Sequence, residues 1–477
     1  MEQKQSKTFI NNFTSGPVFR TLMVFAGPLF LSNMLQAVYS MVDMIVVGQV
    51  VGEAGLSGLS IGGDFLSLLT FLSMGFAGAS QTIISQYIGA GLKEKLSRFI
   101  GTMSVFLFLC AVGMSVICLL LRSQILSWLN TPSESWNHAL SYATTCMFGL
   151  VFIYGYNAVS AILRGMGDSK RPFLFITIAS VLNLILDLLF VVVFRWEAFG
   201  AALATVISQA FSFMTALVYL YKKRAQLGFS LSRKDFRIDL AELGPLVKLG
   251  VPMAIRSAAI MFSRMIVNAW INDYGVTVSA VTGIALKVDM VGIHMGHAVS
   301  TASSAMIAQN IGAGKFDRVK RVLRYSFLLN AICFSLVILV VACFPMDVFG
   351  IFTQDLAVLL VCMEYVPVSV LNLVCSALRD SMNGFASGCG NYTYNFAVAI
   401  IDGVIGRIGF AVLLGMICNL GYMGYWLGNA IGGLMPFLIA SGYYLSGRWK
   451  KPPAFCAPPN HPDTDKNPAL HKAGFSR

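Results

Sequence analysis

Long apolar segments recur along the whole chain and are separated by short polar connections. Twelve of them are long enough to cross about 30 Å of hydrocarbon as helices of roughly 20 residues. We place these spans at residues 22–47, 57–88, 99–121, 139–163, 173–194, 198–221, 246–271, 279–311, 325–345, 359–386, 396–417 and 423–446. No alternation of period two competes with this pattern, so a β-barrel is not expected. The pattern predicts an all-α integral membrane protein.

The amino-acid composition excludes a water-soluble fold. Hydrophobic residues make up 56% of the 477 residues and charged residues only 12%, whereas about 25% charged residues is usual in soluble proteins. The first apolar segment is too long for a signal peptide and has no small-residue cleavage site after it, so we interpret it as a retained helix. The ten cysteines are scattered without a Cys-x-x-Cys pair, which is typical of reduced cysteines acting as small hydrophobes.

Basic residues are concentrated on one predicted side of the membrane. Of the 34 Lys and Arg residues, 27 fall in the two termini or in connections on one side, and two, Arg122 and Arg195, fall on the other. An excess of Lys and Arg marks the cytoplasmic face. We therefore expect a multi-pass protein of the plasma (inner) membrane with both termini in the cytoplasm and an even number of spans. This distribution explains the net charge of +12 without a nucleic-acid partner.

An internal repeat relates the two halves of the chain. The segment Gln86-Tyr87-Ile88-Gly89-Ala90-Gly91 returns as Gln309-Asn310-Ile311-Gly312-Ala313-Gly314, at an offset of 223 residues. Four further pairs keep an offset of 223 to 225: Pro28 and Pro252, Asp64 and Asp289, Gly165-x-Gly167 and Gly388-x-Gly390, and Gly200 and Gly424. This register indicates duplication of a six-helix unit, with the repeats related by a pseudo-twofold axis along the membrane normal and the substrate between them.

The repeat and the charges together predict five segments. They are a cytoplasmic N-terminus at 1–20, a first six-helix lobe at 21–222, a cytoplasmic linker at 223–244, a second six-helix lobe at 245–446, and a tail at 447–477. The linker is polar and basic, and it is the natural hinge between the lobes. The tail is rich in Pro and contains Lys, which is typical of disordered segments.

Twelve charged residues fall inside the predicted spans. The acids are Asp43, Asp64, Asp187, Asp289, Glu364, Asp380 and Asp402, and the bases are Arg256, Arg264, Lys287, Arg379 and Arg407. Each costs about 2.5 to 3.5 kcal/mol at the bilayer centre, so such groups usually face a cavity. Asp64, Lys287 and Asp289 lie near span ends, where a side chain can instead reach the interface. The first half holds three acids and no base, whereas every base belongs to the second half.

Polar side chains of the first half suggest a site for a small cation. Tyr39 and Asp43 are four residues apart, as are Asn183 and Asp187, so each pair projects from one helix face. Thr205 in the sixth span offers a hydroxyl. Carboxylate, amide and hydroxyl oxygens suit H⁺ or Na⁺. A buried carboxyl without a basic partner favours its protonated form, which is the chemistry of a proton carrier.

These residues resemble those of the multidrug and toxic compound extrusion (MATE) family. The resemblance covers about residues 15–446 and is carried by Pro28, Tyr39-Ser-Met-Val-Asp43-x4-Gly48, Gln86-x-Ile-Gly-Ala-Gly91, Leu163-Arg-Gly-Met-Gly-Asp168 and Asn183-x3-Asp187. It implies two six-helix lobes arranged in a V and export of cationic or amphiphilic drugs against inward H⁺ or Na⁺. No cofactor is implied, and a monomer is expected.

The resemblance also implies roles for single residues. Those matching the first-lobe cation site of one branch of the family are Tyr39, Asp43, Asn183, Asp187 and Thr205. Asn157 matches a further polar position beside that site, and Pro28 matches the residue at which the first helix bends. Relatives of another branch carry a Glu in the seventh span, whereas the region after Pro252 offers Arg256 and Arg264 and no acid. This departure favours coupling through Asp43 and Asp187.

The sequence predicts a secondary active multidrug efflux transporter with a small organic substrate. Arg256, Arg264, Arg379 and Asp380 are further candidates for substrate binding or conformational change. An alternative is a flippase for lipid-linked or anionic substrates, in which Arg256, Arg264, Arg379 and Arg407 hold phosphate. A membrane enzyme is a third interpretation, but the chain has no His/Glu metal motif, no G-x-S-x-G elbow and no P-loop. An enzyme is therefore not expected.

Overall fold

The computed structural model describes residues 11–224, 226, 227, 229 and 234–451, without the side chains of residues 43–45. Over this part of the chain, twelve helices are long and apolar enough to cross a membrane, as predicted. They are α1 (Val18–Val51), α2 (Glu53–Ala90), α3 (Lys93–Leu120), α4 (Trp136–Gly165), α5 (Lys170–Val193), α6 (Glu197–Lys223), α7 (Leu240–Asn272), α8 (Val276–Gly312), α9 (Phe316–Cys343), α10 (Leu356–Cys389), α11 (Tyr392–Ile417) and α12 (Gly421–Leu445). The short helices Arg122–Trp128 and Pro345–Gly350 precede α4 and α10.

Two of the helices contain wide π-helical turns. In α5 the turn is Leu188–Val193, and in α11 it is Val412–Ile417, 224 residues later. A second such turn in α11, Ile401–Gly406, has no counterpart in α5, where the equivalent residues are α-helical. A π turn rotates the side chains that follow it, and such turns are frequent at functional sites.

The last helices of the two repeats contact their neighbours in the same way. A side chain on Gly424 in α12 would overlap the backbone of Leu414, and one on Gly200 in α6 would be in tight contact with the backbone of Phe190. Both members of the contact are therefore repeated at an offset of 224. Glycine is needed at Gly424 because the two backbones approach too closely for a Cβ atom.

The two lobes meet where the repeated Gln and Gly residues end α2 and α8. Gly89 lies against the backbone carbonyl of Gln309, and Gly312 lies against the backbone carbonyl of Gln86. Each contact becomes the other when every residue is exchanged for its counterpart. This exchange is the signature of a twofold relation, and it confirms the duplication and the pseudo-twofold axis. We call this region, Gln86–Gly91 with Gln309–Gly314, the seam.

The first helix of each repeat begins in the core of the other lobe. Leu22 and Phe25 of α1 are buried in a cluster of second-lobe residues that includes Met306. Their counterparts Leu246 and Leu249 of α7 are buried in the first-lobe cluster. The Tyr87 hydroxyl donates a 2.6 Å hydrogen bond to Glu242 Oε2 across the same boundary. The lobes are thus interlocked at the face that carries both chain ends.

The connections between and after the lobes are only partly described. Between α6 and α7, residues 225, 228 and 230–233 lie outside the described part, and Arg233 is among them. After α12 a 3₁₀ turn, Arg448–Lys450, places Trp449 against Phe385 with only 2% of its surface exposed. The rest of the predicted disordered tail, from residue 452 onward, lies outside the described residues.

Candidate functional site

A narrow cleft in the first lobe is formed by α1, α5 and α6. Its lining residues are Tyr39, Ile176, Ala179, Ser180, Asn183, Thr205, Ser208 and Gln209. It therefore brings together Tyr39, Asn183 and Thr205, three of the five candidates for cation binding. None of the lining residues is charged, and three helices contribute oxygen atoms.

Asn183 and Asp187 are buried one helical turn apart on α5. Their exposed fractions are 3% and 2%. Asn183 Nδ2 has no hydrogen-bond partner within the described residues, although a buried amide ordinarily has one. Asp187 is the last residue before the π turn Leu188–Val193. A buried polar pair therefore lies beside the cleft.

The other first-lobe candidates are not all at this cleft. Asp43 follows Tyr39 by one turn on α1, and its side chain is outside the described part. Thr205 Oγ1 donates a 3.1 Å hydrogen bond to the Ala201 carbonyl, which leaves its lone pairs available. Asn157 lies elsewhere, on α4, where its Nδ2 donates to Ser73 Oγ of α2 at 3.2 Å. Asn157 is not among the residues that line the cleft.

Pro28 lies within α1, in its first third. Its ring cannot donate the backbone hydrogen bond of an ordinary helix residue, which weakens the helix there. The Ser32 hydroxyl donates a 2.8 Å hydrogen bond to the Pro28 carbonyl, and side chains of this kind satisfy backbone groups at such positions in membranes. Pro28 is thus placed where a bend would move Tyr39 relative to the seam.

The second lobe contains a buried network of arginines and aspartates. Asp402 lies 3.7 Å from Arg256 Nη2 and 3.5 Å from Arg407 Nε. Asp402 is fully buried, and Arg407 is 2% exposed. Arg407 Nη1 also donates a 2.8 Å hydrogen bond to Asn429 Oδ1. The π turn Ile401–Gly406 carries Asp402 into this network.

One further charged pair and one further arginine lie beside this network. Arg379 Nε donates a 3.0 Å hydrogen bond to Asp380 Oδ1, and both residues are buried. Arg264 interacts electrostatically with Arg379 and Asp402, and its Nε has no hydrogen-bond partner among the described residues. Removing such charges from water is costly unless each is paired. The cluster contains four arginines and two aspartates, so it has an excess of positive side chains: Arg256, Arg264, Arg379 and Arg407 against Asp380 and Asp402.

The three charged residues near span ends, Asp64, Lys287 and Asp289, have different surroundings. Asp64 and Lys287 are exposed, which agrees with the interfacial interpretation for both. Asp289 is 1% exposed and accepts hydrogen bonds from Ser369, Asn372 and Tyr365 at 2.5, 2.7 and 3.3 Å. The interfacial alternative is therefore wrong for Asp289, because α10 supplies a complete set of donors inside the lobe.

The register of the repeat reveals a correspondence that the candidate residues alone did not show. At an offset of 224, Asn183 corresponds to Arg407, Asp187 to Ala411, Thr205 to Asn429 and Tyr39 to Ser263. The second lobe thus places a guanidinium where the first places an amide. Counting 224 residues from Asn183 would have identified Arg407 from the sequence.

The comparisons with known proteins agree with this architecture. The family model described as MatE matches residues 28–189 and 252–413, which are two copies of equal length that begin at Pro28 and Pro252. The chain belongs to the MatE family. The resemblance noted in the sequence is therefore confirmed. Both the fold and the sequence place this MatE protein in a family of multi-pass membrane transporters.

Relatives of this MatE protein match over nearly their whole length. "Probable multidrug resistance protein YoeA" of Bacillus subtilis is 29% identical, over 94% of this chain and 98% of its own. "Probable multidrug resistance protein NorM" of Thermotoga maritima is 24% identical, over 91% of this chain and 93% of its own. "Multidrug export protein MepA" of Staphylococcus aureus is 22% identical, over 82% and 86%.

Solved structures share the fold at low sequence identity. A multidrug resistance MATE family transporter in an outward-facing conformation matches with a TM-score of 0.85 and 20% identity, over 92% of this chain and 98% of that one. A transporter of the wider MOP superfamily from Pyrococcus furiosus, described by the reverse polarity of its binding pocket, matches with the same TM-score, identity and coverage.

Proposed function

We propose that this MatE protein is a secondary active transporter that exports cationic or amphiphilic organic compounds in exchange for H⁺ or Na⁺. The observation that carries the proposal is the buried Asn183–Asp187 pair beside a first-lobe cleft with no basic residue in its lining. A buried carboxyl beside an uncharged cleft is stabilised in its ionised form by a bound cation, or takes up a proton. Relatives named as multidrug resistance proteins support export of varied organic compounds.

In the proposed cycle the cation neutralises the first-lobe acids and releases the drug. Entry of H⁺ or Na⁺ from outside would neutralise Asp187 together with Asp43. Helix α1, which carries Asp43, could then change its bend at Pro28 and narrow the cavity. The drug would leave to the exterior, and the lobes would rock about the seam to return the site to the cytoplasm.

Gradient-driven uptake into inside-out vesicles tests the coupling site. Asp43→Asn keeps the size of the side chain and removes its charge, so we expect gradient-driven transport to be lost while drug binding largely persists. Tyr39→Phe and Thr205→Ala each remove one oxygen ligand and no charge, and their effects should be smaller. Transport by Asp43→Asn at the wild-type rate would show that Asp43 is not the coupling residue.

The proposed orientation has both termini in the cytoplasm, in a plasma-membrane monomer. It rests on the 27 to two distribution of Lys and Arg between the two sides. With this orientation the lobes touch at the cytoplasmic face. Cys456 should react with an impermeant thiol reagent only when the cytoplasmic side is accessible. Labelling of Cys456 in intact cells would overturn the orientation.

A second candidate function is movement of anionic or lipid-linked substrates. The observation in its favour is the second-lobe cluster, in which Arg256, Arg264, Arg379 and Arg407 outnumber Asp380 and Asp402. Guanidinium groups bind phosphate and carboxylate through charge-assisted hydrogen bonds. Cells that express the protein should accumulate less ethidium than control cells if the first function holds. Unchanged accumulation of every cation tried, together with transport of a lipid-linked phosphate in proteoliposomes, would favour the second.

A further inference from the structure

The second lobe places a positively charged side chain at the position equivalent to the proposed cation site. The offset is 223 at Gly165 and Gly388 and becomes 224 by the end of α5 and α11, where the π turns Leu188–Val193 and Val412–Ile417 correspond. The additional π turn Ile401–Gly406 lies between these points and ends directly before Arg407. The offset of 224 continues into α6 and α12 through the paired contacts of Gly200 and Gly424. Arg407 is therefore the structural counterpart of Asn183.

The groups around Arg407 are also counterparts of first-lobe site residues. Asn429, which accepts a hydrogen bond from Arg407 Nη1 at 2.8 Å, stands at the position of Thr205. Ser263, at the position of Tyr39, donates its hydroxyl to the carbonyl of Gly403 in the additional π turn. That turn delivers Asp402 to within 3.5 Å of Arg407 Nε. The second lobe has thus acquired both a fixed cation and an acid to hold it.

We infer that Arg407 is a tethered cation, which keeps the second lobe permanently in a cation-occupied condition. Only the first lobe then exchanges H⁺ or Na⁺ during transport. Burial supports this role, because Arg407 is 2% exposed and Asp402 is fully buried. The counterparts of Asp187 and Asp43 are Ala411 and Val267, so the second lobe lacks the carboxyls at which a mobile cation would bind in the first. This inference rests on the proposed cation-coupled function.

The test removes the fixed ion pair and measures coupling in proteoliposomes. The variant Asp402→Asn with Arg407→Gln preserves net charge and the size of the Asp402 side chain, and it shortens the side chain at Arg407. Its number of cations exchanged per ethidium, measured from the opposing gradients at which net flux reverses, should equal the wild-type value. A lower number in a monodisperse double variant would overturn the inference, because it would mean that Asp402 exchanges a cation. If the double variant does not fold, Arg407→Lys replaces it, with the same expectation and the same contrary result.

A separate variant distinguishes this inference from the proposed function. Asp187→Asn should abolish gradient-driven transport if the first lobe couples. Transport by Asp187→Asn at the wild-type rate refutes the proposed function, whatever the second-lobe variants do. Loss of transport in Asp187→Asn with unchanged coupling in the Asp402/Arg407 double variant supports both conclusions.

A second inference concerns the segment before α1 and has an independent basis. Asn11 contacts the first lobe, where its Nδ2 donates to the Gly167 carbonyl at 2.6 Å and its backbone N–H donates to the Met166 carbonyl at 3.3 Å. Phe13, two residues later, contacts the second lobe. Its N–H donates to Gln309 Oε1 at 2.5 Å, and its carbonyl accepts from Asn310 Nδ2 at 3.1 Å.

Basic side chains of the second lobe hold the rest of this segment. Arg318 Nη2 donates to the Ser15 carbonyl at 2.6 Å, and Lys315 Nζ donates to the Thr14 carbonyl at 2.9 Å. Phe13 itself is 1% exposed. We call residues 11–15 the strap, because they connect one lobe to the other at the seam.

The strap lies at a place where, on the equivalent side of the seam, the two lobes contact each other directly. Gln86 Nε2 donates to the carbonyls of Gly388 and Cys389 at 3.0 and 3.3 Å. By the offset of 223, Gln309 would make the same contacts with Gly165 and Met166. Instead, the strap lies between Gln309 and Met166 and donates hydrogen bonds to the Gln309 side chain and to the Met166 carbonyl.

The geometry points to the strap as a latch that keeps the lobes together at the face carrying both chain ends. When this face opens, the strap must release either Met166 and Gly167 or Gln309. It continues into α1, which carries Pro28 and Tyr39, so movement of the first-lobe cleft and release of the latch share one helix. Weakening the strap should therefore favour the open state at this face.

Electron-spin distance measurements between the lobes test the latch. Labels on Lys93→Cys and Asp317→Cys, both exposed positions on this face, would be used in a chain whose other cysteines are replaced. Asn11→Ala combined with Gln309→Ala should shift the distribution toward longer distances. Asn12→Ala is the matched control, because Asn12 Oδ1 bonds only to Thr14 within the strap. Equal distributions in the double variant and the control would overturn the latch.

Discussion

The seam and the two intramembrane sites have preserved the duplication to different degrees. At the seam, Gln86 and Gln309 are the same residue, and so are Gly89 and Gly312. Inside the lobes, Asn183 and Asp187 correspond to Arg407 and Ala411. At the seam each contact joins a residue of one lobe to a residue of the other, so a change in either copy disturbs a contact of both lobes. The hydrogen bond from Thr205 to Ala201 and that from Arg407 to Asn429 each stay within one lobe, so these positions can diverge separately.

This difference indicates how one architecture can hold two unlike halves. The seam needs close backbone approach at two equivalent points, which only Gly permits. The lobes need different charges, because one is proposed to exchange a cation and the other holds guanidinium groups. The duplication thus accounts for the equivalent contacts at the seam, about which the lobes are proposed to rock. Divergence inside the lobes accounts for the proposal that only one of them exchanges a cation.

The largest expected effect comes from side chains introduced at the seam. Gly89→Leu and Gly312→Leu each place a Cβ on a backbone carbonyl of the other lobe. A backbone cannot yield as a side chain does, so the cost should exceed that of ordinary overpacking, about 1 to 3 kcal/mol, and prevent the lobes from meeting. We expect little monodisperse protein from either variant in size-exclusion chromatography. Gly63→Leu, on the same helix as Gly89 with open space around it, should express normally. Tolerance of one seam variant and loss of the other would refute the equivalence of the two contacts.

Much of this frame could be predicted from the sequence, because it depends on local patterns. Apolar length predicted the twelve spans, and the Gln86–Gly91 repeat predicted the duplication. The burial of the start of α1 in the second-lobe core could not be predicted, because apolar residues such as Leu22 and Phe25 suit a lipid-facing position equally well. The Arg407–Asp402 pair was also out of reach, since it depends on a π turn that no motif marks. For the first-lobe site, Tyr39, Asn183 and Thr205 were predicted by resemblance, and their proximity depends on how α1, α5 and α6 pack.

The next effect contrasts one acid from each lobe. Asp402→Asn leaves Arg407 and Arg256 without their shared carboxylate, and breaking a buried ion pair costs about 3 to 5 kcal/mol. Asp187→Asn keeps the size of the side chain and removes a carboxyl whose neighbouring cleft has no basic lining residue, so we expect a smaller cost. Thermal melting in detergent should show a large drop for Asp402→Asn and a smaller drop for Asp187→Asn. Similar drops in both would mean that the two acids serve the same structural purpose.

A smaller effect is expected at Asn429, the second-lobe counterpart of Thr205. Asn429→Ala removes the oxygen that accepts the 2.8 Å hydrogen bond from Arg407, and hydrogen bonds to charged groups contribute about 1.5 to 3 kcal/mol. The melting temperature should fall, and Asn429→Asp should restore it because a carboxylate accepts the same bond. An unchanged melting temperature in Asn429→Ala would show that Arg407 is held by Asp402 alone.

The smallest effect on stability is expected at Thr205 itself, where the lobes differ in purpose. Among the described side chains and backbone, the Thr205 hydroxyl donates only to the Ala201 carbonyl of its own helix, and that carbonyl already belongs to the helical ladder. Thr205→Val keeps the branched shape and removes the oxygen, so the free energy of unfolding should change by less than about 0.5 kcal/mol. Gradient-driven ethidium transport should nevertheless slow, because the proposed cation loses one ligand, and Thr205→Ser should retain the wild-type rate because it keeps the hydroxyl. Wild-type transport by Thr205→Val would show that Thr205 is not part of the cation site. A large loss of stability would instead show that Thr205, like Asn429, has a structural role.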